Sequence, residues 1–139
     1  MKKLLIASHG HLASGVKSVV KILLRDDSAI TAVDCYVDES DPNEKIGSWI
    51  DSVNQDDEAI IFTDLLGGSV CNTVTMLEPE KKGIVHVTGF NLAAVLEILI
   101  SEDELTAEYV DSVLASASTL MQRVVVEEKP DEADDDFFA

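Results

Sequence analysis

Apolar positions along the chain fall into two alternating regimes. Nearly unbroken apolar runs occur at Lys3–Ala7, Ile30–Val37, Ala59–Thr63 and Gly83–Thr88, with a briefer one at Val124–Val126. A strand covered by helices on both faces has no polar side, so a short continuous run is its signature. Between the runs the spacing becomes helical. Leu12, Val16, Val19, Val20 and Leu23 share one helix face, and Ile46, Trp49, Ile50 and Val53 share another. Asp41-Pro42 with Glu44 predicts a capping box with proline at the first helical position. Ser69, directly after Gly67-Gly68, opens a third helix, and Asn91 caps a fourth that reaches about Ile100. Ser101 with Glu104 predicts the cap of a fifth, in which Leu105, Tyr109, Val113, Ala117 and Leu120 share a face.

The resulting order, β-α-β-α-β-α-β-α-α-β, predicts an α/β doubly wound sheet spanning residues 1–126 as one domain. Gly10, Gly67, Gly68 and Gly89 fall just past strand ends, where tight strand-to-helix turns frame a ligand crevice in such folds. From Glu127 the composition changes: residues 127–139 carry seven acids against one lysine and read as a disordered acidic tail.

Charge and cysteine usage narrow the function classes. Ten Lys and Arg against 27 Asp and Glu give a formal charge of −17, which repels phosphate backbones and anionic lipid. Nucleic-acid and membrane-surface binding are therefore not expected. Cys35 and Cys71 show no C-x-x-C spacing, which points to reduced thiols rather than a zinc ribbon or disulfide scaffold. The apolar run before Ser8 is too short for an export signal, and the longest uncharged stretch, Gly83–Leu96, falls short of the ~20 residues of a membrane span. A soluble, cytoplasmic protein is expected.

Right-handed crossovers and the flavodoxin-like strand order 2-1-3-4 make strands one and three neighbours, with their following helices on opposite faces. Strand one ends in Ser8-His9-Gly10-His11 and strand three in Asp64-Leu65-Leu66-Gly67-Gly68-Ser69. His9 and Asp64 should thus face each other across the crevice. A carboxylate accepting from one imidazole nitrogen fixes the tautomer and leaves the other nitrogen's lone pair for attack. Gly10, Gly67, Gly68 and Ser69 are expected to bound an anion site at the helix N-terminus. Nucleophile, orienting carboxylate and anion cradle together indicate a phosphohistidine site, with no metal and no cofactor. His11 reads as a solvated or capping residue and His86 as a satisfied core histidine. The chain has no G-x-S-x-G elbow, no P-loop lysine motif and no G-x-G-x-x-G.

S-H-G-H-L-A-S-G at Ser8–Gly15, D-L-L-G-G-S-V-C-N at Asp64–Asn72 and G-F-N at Gly89–Asn91 resemble the enzyme IIA domain of the mannose-type sugar phosphotransferase system. The resemblance covers residues 1–126. It implies that His9 is the phosphoacceptor, Asp64 the acid hydrogen-bonded to it, and Ser69 the serine that opens the helix at the site. It further implies a phosphotransferase that takes its phosphoryl group from the phosphocarrier protein HPr and passes it to a IIB component. The IIC and IID membrane components, which would carry the sugar specificity, come in only indirectly. Val70-Cys71 stands where many members have Pro-Phe or a similar pair. The acidic tail is unlike the Ala/Pro-rich linker of fused members and suggests a free-standing subunit; its Phe137-Phe138 pair has the character of either a mobile end or a docking peptide.

Three other readings compete. The phosphotransfer subunit of a dihydroxyacetone kinase has a similar first domain, but its turn is of the D-x-G-S-A type. A receiver domain would place Asp64 as phosphoacceptor, yet Ser8-His9 and Glu127-Glu128 stand where it needs an acid pair and a lysine. A metal hydrolase would use His9, His11, Asp64 and His86, but His86 lies inside its strand.

Val124–Val126 is too short to stand as a strong edge strand by itself. The resemblance implies that it is exchanged between the sheets of a homodimer. A chain ended at Gln122 should therefore dimerise much more weakly than the full-length protein in sedimentation equilibrium. Equal association would overturn the exchange.

Overall fold

Alternation along the two central strands decides which helices each side of the sheet receives. In the computed structural model, which describes residues 1–128, strand β1 (Lys2–His9) points Leu4 and Ile6 to one face and Leu5 and Ala7 to the other. Strand β3 (Glu58–Thr63) does the same with Ile60 and Phe62 against Ala59 and Ile61. Strands β2 (Ile30–Cys35) and β4 (Val85–Thr88) flank them, giving a four-stranded parallel sheet in the order β2-β1-β3-β4.

Each face carries its own core. Helices α1 (Leu12–Leu24), α4 (Leu92–Ile100) and α5 (Ala107–Ala117) bury Ala13, Val16, Val20, Val95, Ile98, Val110 and Val113 against Leu4, Ile6, Ile60 and Phe62. Helices α2 (Pro42–Ser52) and α3 (Ser69–Met76) bury Ile46, Trp49, Ile50, Val70 and Val74 against Leu5, Ala7, Val33 and Ile61. Each fully buried side chain of this size contributes about 1.5–3 kcal/mol. Helices α1 and α3, which follow the neighbouring strands β1 and β3, thus lie on opposite faces, and the crevice opens between their N-terminal ends.

Local departures from the sequence expectation have identifiable causes. β2 ends at Cys35 rather than Val37 because Tyr36 turns the chain with φ +65°. β4 begins at Val85 rather than Gly83, because a 3₁₀ turn over Pro79–Lys82 ends on Gly83. Asp41 caps α2 as expected by accepting from the N–H of Asn43, with Pro42 at the first helical position. α5, however, is capped by Thr106, whose hydroxyl accepts from the N–H of Tyr109. Ser101 instead closes α4, and its hydroxyl accepts from Tyr109. Leu105 and Val110 both enter the core on either side of the Thr106 cap, in the positions of a hydrophobic staple. Leu120 is exposed, in a 3₁₀ turn beyond α5.

Val124–Val126 forms no strand within the single chain, and its three side chains are exposed. The acidic tail, Phe137-Phe138 included, lies outside the described residues from position 129 on. No helix among the described residues is long and apolar enough to cross a membrane.

The two candidate caps of α5 make separable predictions. Thr106→Ala should lower unfolding stability by about 1 kcal/mol in urea titration. Glu104→Ala, which would remove the other half of the Ser101 box, should stay within about 0.5 kcal/mol of the parent.

Candidate functional site

The parallel register between β1 and β3 pairs Ala7 with Thr63, so the residues that follow leave the sheet at the same edge. Ser8, fully buried, accepts the N–H of Ala13 on its hydroxyl at 2.7 Å and caps α1 from the strand. Gly10 turns the chain with φ +57° and donates its N–H to the Cys35 carbonyl. This leaves His9 on a short, doubly anchored turn.

Asp64 then meets His9 twice. One carboxylate oxygen, Oδ2, accepts both the backbone N–H and the ring Nδ1 of His9, each at 2.8 Å, and Oδ1 accepts the N–H of Leu65 at 3.0 Å. The Asp64 side chain is only 8% exposed, whereas that of His9 is 43% exposed. Burial pushes the Asp64 carboxyl up, but the hydrogen bonds from the His9 backbone and ring outweigh it and hold it below the usual carboxylate range. An ionised carboxylate only accepts, so the network assigns the hydrogen to Nδ1 and the lone pair to Nε2.

Nε2 faces the Ser69 hydroxyl at 3.1 Å, at the first residue of α3. The turn before Ser69 is shaped by two glycines with different reasons. Gly67 has φ +76°, where a side chain would be strained. Gly68 has ordinary dihedrals, but a Cβ there would lie 3.2 Å from the Leu65 carbonyl oxygen and 3.6 Å from Cε1 of His9. The tight contact is within the turn, against Leu65, whereas the distance to the ring is an ordinary van der Waals one.

Of the four residues expected to bound an anion, Gly10 and Gly68 spend their N–H groups on the Cys35 and Leu65 carbonyls. Their contribution is shape. Gly68, at the N-cap position, supplies no side chain to the first turn of α3, so an approaching anion would meet the Ser69 hydroxyl and the opening N–H groups of that helix.

The other histidines go elsewhere. His11 Nδ1 pairs with Asp34 Oδ2 at 3.1 Å, and its side chain is largely exposed. Asp34 also accepts the N–H and hydroxyl of Ser14, so this β2 residue helps to cap α1. Burial raises the Asp34 carboxyl, but the bonds from Ser14 and His11 bring it below the usual range. His86 is half-buried with Nε2 2.8 Å from the Thr63 hydroxyl; burial pushes its pKa down, against an opposing pull from the Glu80 carboxylate. Among the described residues, no three His, Cys, Asp or Glu side chains are grouped to hold a metal ion.

Two residues beside the site escaped the sequence reading. Asp34 lies inside a strand-like run, and nothing in its spacing marks it as a cap. Tyr36 has its hydroxyl 2.9 Å from the Ser69 hydroxyl and its ring 5.4 Å from that of His9, centroid to centroid, tilted by 40°. Its signal was position, just past the carboxyl end of β2, but the apolar run to Val37 concealed where that strand stops.

With the geometry in place, comparison with known proteins is informative. Residues 3–114 match the family model EIIA-man, described as the PTS system fructose IIA component. A crystal structure from Klebsiella pneumoniae, described as a candidate phosphoenolpyruvate-dependent sugar phosphotransferase system permease, is 26% identical with a TM-score of 0.79, covering 88% of this chain and 90% of that one. The mannose/sorbose-specific IIA subunit from Enterococcus faecalis is 23% identical with a TM-score of 0.77, covering 93% and 99%. The PTS IIA protein associated with the fucose utilization operon of Streptococcus pneumoniae is 20% identical with a TM-score of 0.75, covering 88% and 92%. The last two likenesses establish the fold. No curated protein matches this chain.

The Asp64 interaction carries a pH signature. A carboxyl whose folded pKa is depressed contributes stability above its unfolded value, and loses it as the pH falls through the folded one. Asp64→Asn should therefore be less stable than the parent at pH 7. The gap should close on acidification below about pH 4, as read by urea unfolding at a series of pH values.

Proposed function

The chain belongs to the EIIA-man family, the PTS system fructose IIA components, and on that premise we propose that it is a cytoplasmic phosphocarrier in which His9 is the phosphoryl acceptor. Nε2 attacks the phosphorus of phosphohistidine on HPr. The new N–P bond forms as the donor's N–P bond breaks, and the donor imidazole leaves with its electron pair. Nδ1 keeps its hydrogen on Asp64 throughout, so the positive charge that develops on the His9 ring lies against a carboxylate. In the onward step a histidine of a IIB component attacks the same phosphorus, and the His9 imidazole leaves with its electron pair as its N–P bond breaks. Catalysis of this kind rests on in-line positioning and charge stabilisation.

The observation that carries the reading is an oriented Nδ1, held at 2.8 Å by a buried carboxylate, with Nε2 facing the Ser69 hydroxyl at 3.1 Å on a side chain that is 43% exposed. The surroundings favour a protein as donor. Leu65 and Leu66 follow Asp64 directly and are 60% and 85% exposed, and Leu12 beside His11 is 50% exposed; an apolar rim of this kind suits a protein–protein contact. The homodimer with exchanged Val124–Val126 strands belongs to the same proposal, and the outer edge of β4, unpaired among the described residues, leaves room for it.

Incubation with phosphoenolpyruvate, enzyme I and catalytic HPr, followed by mapping of the acid-labile phosphate, tests the reading. His9 should carry the label, and His9→Ala should accept none. His11→Ala and His86→Ala should each accept a full equivalent. Asp64→Asn should slow transfer about tenfold or more, since a hydrogen bond to a charged group is worth about 1.5–3 kcal/mol. Label on Asp64, or none at all, would overturn the phosphohistidine.

A further inference from the structure

Tyr36 occupies a backbone conformation that its own side chain disfavours. Its φ of +65° is uncommon for any residue but glycine and is an outlier for a bulky aromatic one. Burial does not compensate, because the side chain is 56% exposed. Strained, exposed residues persist where the surroundings hold them, and such sites cluster at functional positions. What holds Tyr36 is the site itself, through the hydroxyl contact with Ser69 and the tilted ring contact with His9.

The hydrogen-bond directions follow from Asp64. Nδ1 donates to the carboxylate, so Nε2 accepts, so the Ser69 hydroxyl donates to it. The single hydrogen of Ser69 is then used, and its oxygen is left to accept from the hydroxyl of Tyr36. The four groups form one chain in which every donor points the same way, from Tyr36 to Asp64.

We propose that Tyr36 is a positioning residue for phosphoryl transfer, its hydroxyl holding Ser69 in the one orientation that serves both the resting and the phosphorylated His9. The proposal rests on the phosphohistidine reading above. In the resting state the Ser69 hydrogen lies on the Nε2 lone pair. Once Nε2 is bonded to phosphorus that lone pair is gone, and the same hydrogen turns to a phosphoryl oxygen while the Ser69 oxygen still accepts from Tyr36. Without that anchor a serine side chain spreads over three staggered wells, which dilutes the productive one about threefold.

Tyr36→Phe keeps the ring and the backbone and removes only the hydroxyl. Two measurements should respond, and a third should not. The ¹⁵N resonance of Nε2 in neutral, unphosphorylated His9 should move toward that of a pyridine-type nitrogen with no hydrogen bond. The single-turnover rate of transfer from phosphorylated HPr, at saturating donor, should fall about threefold, with the donor concentration for half-saturation unchanged. In a Ser69→Ala background, Tyr36→Phe should have no further effect on the rate, because the two act through one contact. An unchanged Nε2 resonance and rate would overturn the proposal. So would an equal rate loss with Ser69 removed, or a loss confined to the half-saturating concentration, which would make Tyr36 a contact for the donor protein. A wild-type chain that accepts no phosphate would overturn this proposal together with the reading beneath it, whereas a labelled wild type with an unaltered Tyr36→Phe overturns this proposal alone.

Discussion

One carboxylate oxygen receives two N–H groups of a single residue on the neighbouring strand, and the arrangement of the site follows from that. Because Asp64 Oδ2 takes both the backbone N–H and Nδ1 of His9, the ring is tied to the same point as the end of β1. Rotation of the imidazole away from Asp64 would leave a nearly buried carboxylate short of a partner, which costs more than the loss of an ordinary hydrogen bond. The ring orientation is therefore maintained without enclosing the ring. Its far nitrogen stays directed at the Ser69 hydroxyl, and the near nitrogen stays protonated.

That interaction is available only because the sheet is parallel and ordered β2-β1-β3-β4. Adjacent parallel strands deliver their ends to the same edge, and right-handed crossovers send the following helices to opposite faces. The turns out of β1 and β3 must then pass close to one another. Gly68 keeps the turn out of β3 tight, since a Cβ there would crowd Leu65. The caps of α1 come from the sheet: the hydroxyl of Ser8 and the carboxylate of Asp34, both on strands, satisfy the N–H groups of Ala13 and Ser14. The helix start is thereby stitched to β1 and β2, and the residue at its own cap position, His11, is released to the surface.

The parts legible in the sequence are those governed by burial. Strands such as Leu4–Ala7 and Ala59–Phe62 are apolar on both faces, and only a helix-covered sheet explains that pattern. The His9–Asp64 pairing followed from strand order alone, because topology fixes which ends meet. Less legible were features set by competition among near-equivalent local signals. Ser101 and Thr106 are both plausible caps for α5, and the choice falls to Thr106 because Leu105 before it enters the core. Leu12 and Ala13 both fit an amphipathic α1, yet it is Ala13 that is buried while Leu12 is half exposed. Tyr36 was illegible for a deeper reason. Its left-handed backbone contradicts its intrinsic preference, and a sequence states preferences rather than the contacts that override them.

The site is also open. The His9 side chain is 43% exposed, whereas enzymes acting on small molecules bury most of the substrate in a pocket. On the proposed reading, a nucleophile exposed to this degree does not by itself exclude water. On a chain of net charge −17, a free phosphate compound would in addition approach against the field. Both deficits are met if the phosphoryl group arrives already bound to a second protein. The docked surface then excludes water over the exposed leucines, and the donor's own groups complete the cradle begun by Ser69. On this argument the openness of the site reflects a division of labour. In the proposed transfer the chain would contribute an oriented nitrogen and one hydroxyl, and the partner the enclosure.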